Sequence, residues 1–146
     1  KQLYFMKENN FKISHTSYEI IDDKNNVIDM RIARAFKNLE DLLKSCDIGL
    51  STVLLQKEIL SEECIFPNLK TKEDFVLWLK ILKNNIIIEA IDENLTSWRK
   101  LDNSLSSSTL QKLSDGFSVY HNYMKFNFIK SVYYLFCLGI NYLKKK

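Results

Sequence analysis

Glycine and proline are scarce, with three glycines and one proline among 146 residues. That leaves no material for a flexible inter-domain linker and no glycine-rich loop of the kind that cradles phosphates. The three cysteines, Cys46, Cys64 and Cys137, are odd in number, far apart and outside any Cys-x-x-Cys spacing. They read as reduced thiols of a cytosolic protein, not as a disulfide framework or a metal site. No uninterrupted apolar run approaches the roughly 20 residues needed to span a bilayer, and no signal-peptide pattern opens the chain. The chain begins Lys1-Gln2-Leu3 without an initiator Met, as a piece of a longer polypeptide or a processed chain would. Arginine is also rare, three of 21 cations, and no DNA- or RNA-binding motif occurs, so no nucleic-acid partner is expected. His15 and His121 stand alone, without a second ligand or nucleophile at useful spacing, and read as structural.

The chain is 46% hydrophobic and 27% charged, a globular composition with enough length for one buried core. Its net charge of +3 is unevenly spread. Residues 116–146 hold five lysines, no acid and nine of the 18 aromatic residues, leaving 16 bases against 18 acids upstream. An aromatic, basic tail on a slightly acidic body suits a membrane surface or an acidic partner.

Along the chain, Leu3–Lys7 reads as the end of a helix that stops at Asn9-Asn10. Phe11 to Glu19 alternates in a β-prone pattern, and Asp22-Asp23-Lys24-Asn25-Asn26 is turn chemistry before Val27–Met30, which predicts a β-hairpin. Asn38 caps a short helix to Lys44, and Ser51–Leu55 reads as a buried strand. Thr71-Lys72-Glu73-Asp74 opens the clearest helix, whose wide apolar face runs through Phe75, Leu77, Trp78, Leu79, Ile81 and Leu82 to Asn84-Asn85. Ile86–Ile88 and Leu95–Arg99 read as two strands. The serines at 106–108 can cap a helix to about Phe126, and a last helix runs from Phe128 to Leu143, ending in Lys144-Lys145-Lys146. The pattern is α/β with a C-terminal helical pair, divided into a body of residues 1–105 and a tail of residues 106–146.

Thr16-Ser17-Tyr18-Glu19 on a strand, Thr71 to Lys80 at a helix start, and Trp98-Arg99 followed by Asn103-Ser104-Leu105-Ser106 together resemble family 2 glycosyltransferases, bacterial nucleotide-sugar enzymes of the GT-A (Rossmann-like) type. The resemblance covers nearly the whole chain but only the C-terminal, acceptor-side portion of such an enzyme. It implies an inverting transfer from a nucleotide-sugar donor to a surface polysaccharide or lipid-linked glycan acceptor, in the cytoplasm or peripherally at the inner face of the plasma membrane. It also implies a divalent metal, Mn²⁺ or Mg²⁺, bound mainly by an N-terminal half that carries an Asp-x-Asp motif. Nothing upstream of Lys1 supplies that half here, so the chain alone is expected to be inactive.

The resemblance makes Asp74 the general base that deprotonates the acceptor hydroxyl, with Glu73 a supporting neighbour. The alternative reading pairs Thr71 and Asp74 as a helix cap, with the acid favoured by the helix dipole. Arg99 matches a position that steadies diphosphate or acceptor, its alternative being a surface ion pair. Where many relatives have a metal-binding His two residues later, this chain has Leu101. No metal ligand is therefore assigned; Asp102 could compensate, or serve a turn. Asp22-Asp23 superficially looks like a metal motif, but its setting reads as a hairpin turn. Thr52 falls where relatives line the acceptor cleft, or in a core strand; Trp98 is open to core or sugar platform, and Trp78 reads as core. A second functional reading makes the aromatic, basic tail a non-catalytic membrane- or protein-interaction element. Packing of the tail on the body and a homodimer seam are the alternatives for the same surface.

Overall fold

Five consecutive residues of one strand, Ile13–Ser17, are buried, and four of them are polar. Such a stretch is tolerable only if neighbours on both sides take its hydrogen bonds. In the computed structural model, which describes residues 1–60, 64, 66–101 and 108–144, this strand, β1 (Ile13–Ile21), is the centre of a four-stranded sheet. β2 (Val27–Arg31) pairs antiparallel with its second half and β3 (Leu54–Leu55) with its start. β4 (Glu89–Arg99) runs parallel along its other edge, from Ser14 opposite Glu89 to Ile21 opposite Arg99. A parallel partner requires a long crossover, and here the chain between β2 and β4 supplies it.

Most buried polar groups of β1 find a partner, His15 Nδ1 being the exception. Gln2, on α1 (Gln2–Glu8), donates its Nε2 to the Ser14 carbonyl and hydroxyl, both at 3.1 Å, and to the Thr52 carbonyl at 2.9 Å. The Ser17 hydroxyl donates to Asp92 on β4 and accepts from the Ala33 N–H, both at 2.8 Å. His15 Nε2 meets the Arg34 carbonyl at 2.9 Å, and burial holds this imidazole below its ordinary pKa, favouring the neutral form.

The crossover carries α2 (Leu39–Lys44), capped by the Asn38 side chain on the Asp41 N–H, and α3 (Glu73–Lys83). Phe75 through Leu79, with Ile81 and Leu82, are all buried, so α3 is a core helix apolar on most of its circumference. Trp78 lies inside that core. The helix stops at Asn84, and Asn85 takes the left-handed backbone (φ 59°) that ends many helices.

α4 (Thr109–Ser118) passes through a single π-turn at Val119–Tyr123 and then leads to α5 (Phe128–Leu143), the C-terminal helical pair. The pair is bolted to the body: Tyr120 donates its hydroxyl to the Leu43 carbonyl at 2.7 Å, Tyr134 to Glu40 at 2.7 Å, and Asn141 Nδ2 to the Lys44 carbonyl at 3.0 Å. Val119, Tyr120 and Tyr134 belong to the same apolar core as α2 and α3. Packing on the body, one of the alternatives for the tail, is what the structure shows. It still leaves Phe128, Ile129 and Phe136 two-thirds or more exposed. No helix among the described residues is long and apolar enough to cross a membrane.

Three sequence expectations are corrected. Ser51–Leu55 is not a continuous strand, because Leu50–Thr52 forms a 3-10 turn and only Leu54 and Leu55 pair with β1. Ile86–Ile88 precedes the sheet strand, with Ile88 bridging Phe36, and the separate Leu95–Arg99 strand is the second half of one long β4. The helix expected to reach Phe126 ends at Ser118 before the π-turn, with Ser108 as its cap. Asp102, Asn103, Ser104, the serines at 106 and 107, the division at residue 105, and Lys145-Lys146 lie outside the described residues.

The pair is also tied to α3 through Asp115. Its Oδ2 accepts from both the Thr71 N–H at 2.9 Å and the Thr71 hydroxyl at 2.8 Å, and its Oδ1 accepts from Gln111 at 2.9 Å. The carboxylate is only 5% exposed. Replacement Asp115→Ala is expected to lower unfolding stability by about 2–3 kcal/mol, measured by urea denaturation, because it strands buried donors that bonded a charged group. A surface-like loss under about 0.5 kcal/mol would show that the link is not a stabilising one.

Candidate active site

α3 begins unusually. Its N-cap residue, Lys72, sits in the left-handed region (φ 64°) and offers no side-chain cap. For a residue with a long side chain that backbone is uncommon and costs energy. Glu73 and Asp74 are the first two helical residues, where negative charge is favoured by the helix dipole.

The expected alternative for Asp74, a reciprocal cap with Thr71, is not what forms. Thr71 is spent on Asp115, and Asp74 instead accepts the Phe75 N–H at 2.7 Å. Asp74 makes no ion pair with a Lys or Arg among the described residues. Burial pushes its carboxyl above the ordinary carboxylate value and the Glu73 charge adds to the rise, while the Phe75 N–H and Lys72 offset part of it. A half-buried acid of raised proton affinity, without a cation bonded to it, is the chemical profile of a general base in waiting.

Beside it opens a cavity of about 850 Å³. Tyr18, Arg31, Cys46, Asp47 and Lys72 line its body side, and α4 and α5 close it with Lys112, Leu135, Phe136, Ile140 and Leu143. Asp74 does not line the cavity itself, but its charge is felt at two residues that do, raising the pKa of both Tyr18 and Cys46. Tyr18 is fixed by a close backbone: a Cβ on Gly49 would stand 2.8 Å from its ring, so only glycine lets the ring lie there. Burial raises the Tyr18 phenol, and burial together with Asp74 pushes the Cys46 thiol up to about 12. Cys46 is therefore a neutral thiol at physiological pH, not a nucleophile.

The other sequence candidates do not converge on this cavity. Arg99 donates from Nη1 to the Asp22 carbonyl at 2.7 Å and from Nη2 to Asn25 Oδ1 at 2.6 Å, so its guanidinium holds the β1–β2 turn. Trp98, partly exposed, pairs with Ile20 near the end of β4. Thr52 is buried in its 3-10 turn with its hydroxyl on the Gly49 carbonyl at 2.8 Å. Glu73 stands next to Asp74 and acts on it as a like charge. Asp22 accepts from the Lys24 and Asn26 backbone and from the Asn26 side chain, which makes it a turn residue. No group of three or more His, Cys, Asp or Glu that could hold a metal ion occurs among the described residues.

Sequence reasoning missed Lys72, Arg31, Lys112 and Asp115 as parts of the site. They come from three separate segments, Lys112 and Asp115 sharing α4, and only Lys72, adjacent to the Glu73-Asp74 pair, carried a local signal.

The chain is 29% identical over its whole length to the putative teichuronic acid biosynthesis glycosyltransferase TuaG of Bacillus subtilis, of which it covers 58%. It is 33% identical over 97% of its length to the UDP-Glc:alpha-D-GlcNAc-diphosphoundecaprenol beta-1,3-glucosyltransferase WfgD of Escherichia coli, covering 53% of that protein. A glycosyltransferase of Rickettsia felis is 34% identical over 100 residues, 67% of this chain and 16% of the relative. The chain is thus a relative of glycosyltransferases and spans about half the length of the first two. No family model matches the chain, and no solved structure matches it.

Because the folded state holds the Asp74 proton more tightly than the unfolded chain does, the ionised carboxylate opposes folding. Between the unfolded and the raised folded pKa the native state binds more protons, so this contribution improves as pH falls and is fully unfavourable at neutral pH. Asp74→Asn should therefore be more stable than the parent chain at pH 7, with the gain shrinking as pH falls through the titration of the parent acid. Thermal melts of both proteins across pH 4–8 read this directly, and a mutant less stable at pH 7 would mean that Asp74 is a stabilising cap.

Proposed function

We propose that this chain is the C-terminal, acceptor-side portion of an inverting family 2 glycosyltransferase of the GT-A type. It would act on a nucleotide-sugar donor and the glycan acceptor of a surface polysaccharide, a lipid-linked one in the fullest form of the reading. The observation that carries the proposal is Asp74: a helix-start acid not consumed by capping, raised in proton affinity by burial, beside a cavity large enough for an acceptor. The similarity to TuaG and WfgD supports the reaction class, and the name of the latter specifies a sugar-diphosphoundecaprenol acceptor for that protein.

In this reading Asp74 takes the proton of the acceptor hydroxyl as that oxygen forms a bond to the anomeric carbon. The bond from that carbon to the donor diphosphate breaks on the opposite face, and the diphosphate leaves with the electron pair. One displacement inverts the anomeric centre. Glu73 helps keep the Asp74 proton affinity high, which favours proton uptake in the transition state. The divalent metal that the family resemblance implies is assigned mainly to the donor-binding half, and no step is routed through it here. Arg99 and Trp98 are given no chemical role, since the former holds the hairpin turn. With about half of its relatives' length represented, the chain by itself is not expected to complete a transfer.

In a full-length protein carrying this chain, Asp74→Asn should lower kcat by about 10²–10⁴-fold, the usual worth of a positioned base, while changing nucleotide-sugar affinity little. Steady-state transfer and direct donor binding measure the two separately. A mutant with turnover within a few-fold of the parent would remove Asp74 from the role.

A further inference from the structure

Tyr18 brings to the cavity a polar group that the fold leaves unspent. Tyr120 and Tyr134 show how this protein treats a buried phenol: each donates its hydroxyl at 2.7 Å, to the Leu43 carbonyl and to Glu40. Buried tyrosine hydroxyls ordinarily find such a partner. The Tyr18 hydroxyl donates to none of the described residues, although its ring is partly buried. The sealed side-chain polar atoms without a partner among the described residues are His15 Nδ1 and Trp78 Nε1, and neither residue lines the cavity. The Tyr18 oxygen is thus open, and the space its residue borders is the cavity.

Several polar neighbours of Tyr18 in the cavity are already engaged. Arg31, opposite Tyr18 across the β1–β2 pair, gives Nη1 to Asp29 at 2.6 Å and to the Met30 carbonyl at 2.9 Å. Asp47 accepts from the Ser45 hydroxyl at 3.2 Å and from Arg34 at 3.4 Å. The Cys46 thiol stays protonated, and the Lys72 charge is set in part against Asp74.

Gly49 gives an independent observation. Its φ of −79° is open to any residue, so the backbone there does not call for glycine. What calls for it is room: an added Cβ would stand 2.8 Å from Cε1 of Tyr18 and 3.3 Å from Cζ, the carbon that bears the hydroxyl. The chain gives up a side chain at 49 to seat this ring, yet the hydroxyl the ring carries serves no bond of the fold.

We propose that Tyr18 is an acceptor-binding residue, whose hydroxyl donates a hydrogen bond to an oxygen of the acceptor sugar and so orients the attacking hydroxyl toward Asp74. The proposal rests on the transferase reading for the nature of its ligand. The Asp74 charge acts on the Tyr18 phenol, so the two groups are near enough to engage one sugar. Burial keeps the phenol neutral and therefore a donor at physiological pH. A site that donates to a substrate oxygen rejects the analogue lacking it, so Tyr18 would also select among acceptors.

Titration of the chain with the p-nitrophenyl β-glycosides of glucose, galactose and N-acetylglucosamine, followed by NMR, tests the proposal. At least one glycoside is expected to bind saturably, and Tyr18→Phe should weaken it about tenfold, the worth of one hydrogen bond. The melting temperature of Tyr18→Phe should stay at the parent value, because no bond within the protein is lost, whereas Tyr120→Phe should lower it. Gly49→Ala, which displaces the ring, should weaken the glycoside as Tyr18→Phe does. In a full-length protein carrying this chain, Tyr18→Phe should raise the acceptor KM by a similar factor and leave donor affinity unchanged. Parent-like glycoside binding or acceptor KM in Tyr18→Phe overturns the proposal, and so does failure of the parent chain to bind any of the three glycosides. A fall in melting temperature as large as that of Tyr120→Phe would make Tyr18 a structural residue instead. These outcomes leave the Asp74→Asn turnover measurement untouched, so this proposal and the transferase reading fail separately.

Discussion

The carboxylate of Asp115 is the contact on which the site depends. Buried between α4 and the entrance of α3, it takes both polar hydrogens of Thr71, a residue 44 positions earlier in the chain. Because Thr71 is held there, the first turn of α3 is left without a side-chain cap, and Lys72 turns through the left-handed region. Asp74 then bonds backbone N–H groups and no cation directly, and its charge acts on partly buried Cys46 and Tyr18, offset only in part by Lys72. The same link brings α4, and with it α5, over the face where Asp74 lies, which makes the wall of the cavity. One tertiary hydrogen-bond cluster thus sets both the acid's availability and the shape of the space beside it.

The sheet provides the rigid half of this arrangement. β1 is buried on both faces for five residues and bonded along its length to β4, so Tyr18, the residue after the buried stretch, projects from a well-determined backbone. Gly49 receives its ring. Positions set by a central strand and a core helix are the kind that hold a reacting group to the accuracy general-base chemistry requires. The helical pair, by contrast, is held by a few hydroxyl and amide bonds to α2 and leaves much of its apolar surface outside.

How much of this was legible in the sequence depends on range. α3 and α5 were readable because a continuous apolar face over three or more turns has one explanation, and α3 carried a local stop signal at Asn84-Asn85. The β1–β2 turn was readable for the same reason, since Asp22 bonds within its own five residues. β4 was cut in two because Asp92, Glu93 and Asn94 interrupt its apolar pattern, yet Asp92 is in place to accept from Ser17 across the sheet. The Thr71–Asp74 pair looked like a cap because spacing sees only neighbours three residues apart, and the partner that prevailed was 44 away. Arg99 was readable as an arginine free for anions; that its fork closes on a hairpin turn is information held by β1 and β4 pairing, not by its neighbours. The cavity itself had no sequence signature, since its lining comes from six separate segments.

The central claim is that Asp74 acts as the base with a proton affinity raised by its surroundings. The pH dependence of kcat/KM for transfer, measured on the full-length protein with and without Asp74→Asn, tests it most directly, because the acid limb reports the base of the free enzyme. The account predicts a single-proton acid limb with a midpoint above the ordinary carboxylate value of 3.8, absent from the residual activity of the mutant. An acid limb that persists unchanged in Asp74→Asn would assign the base to another residue.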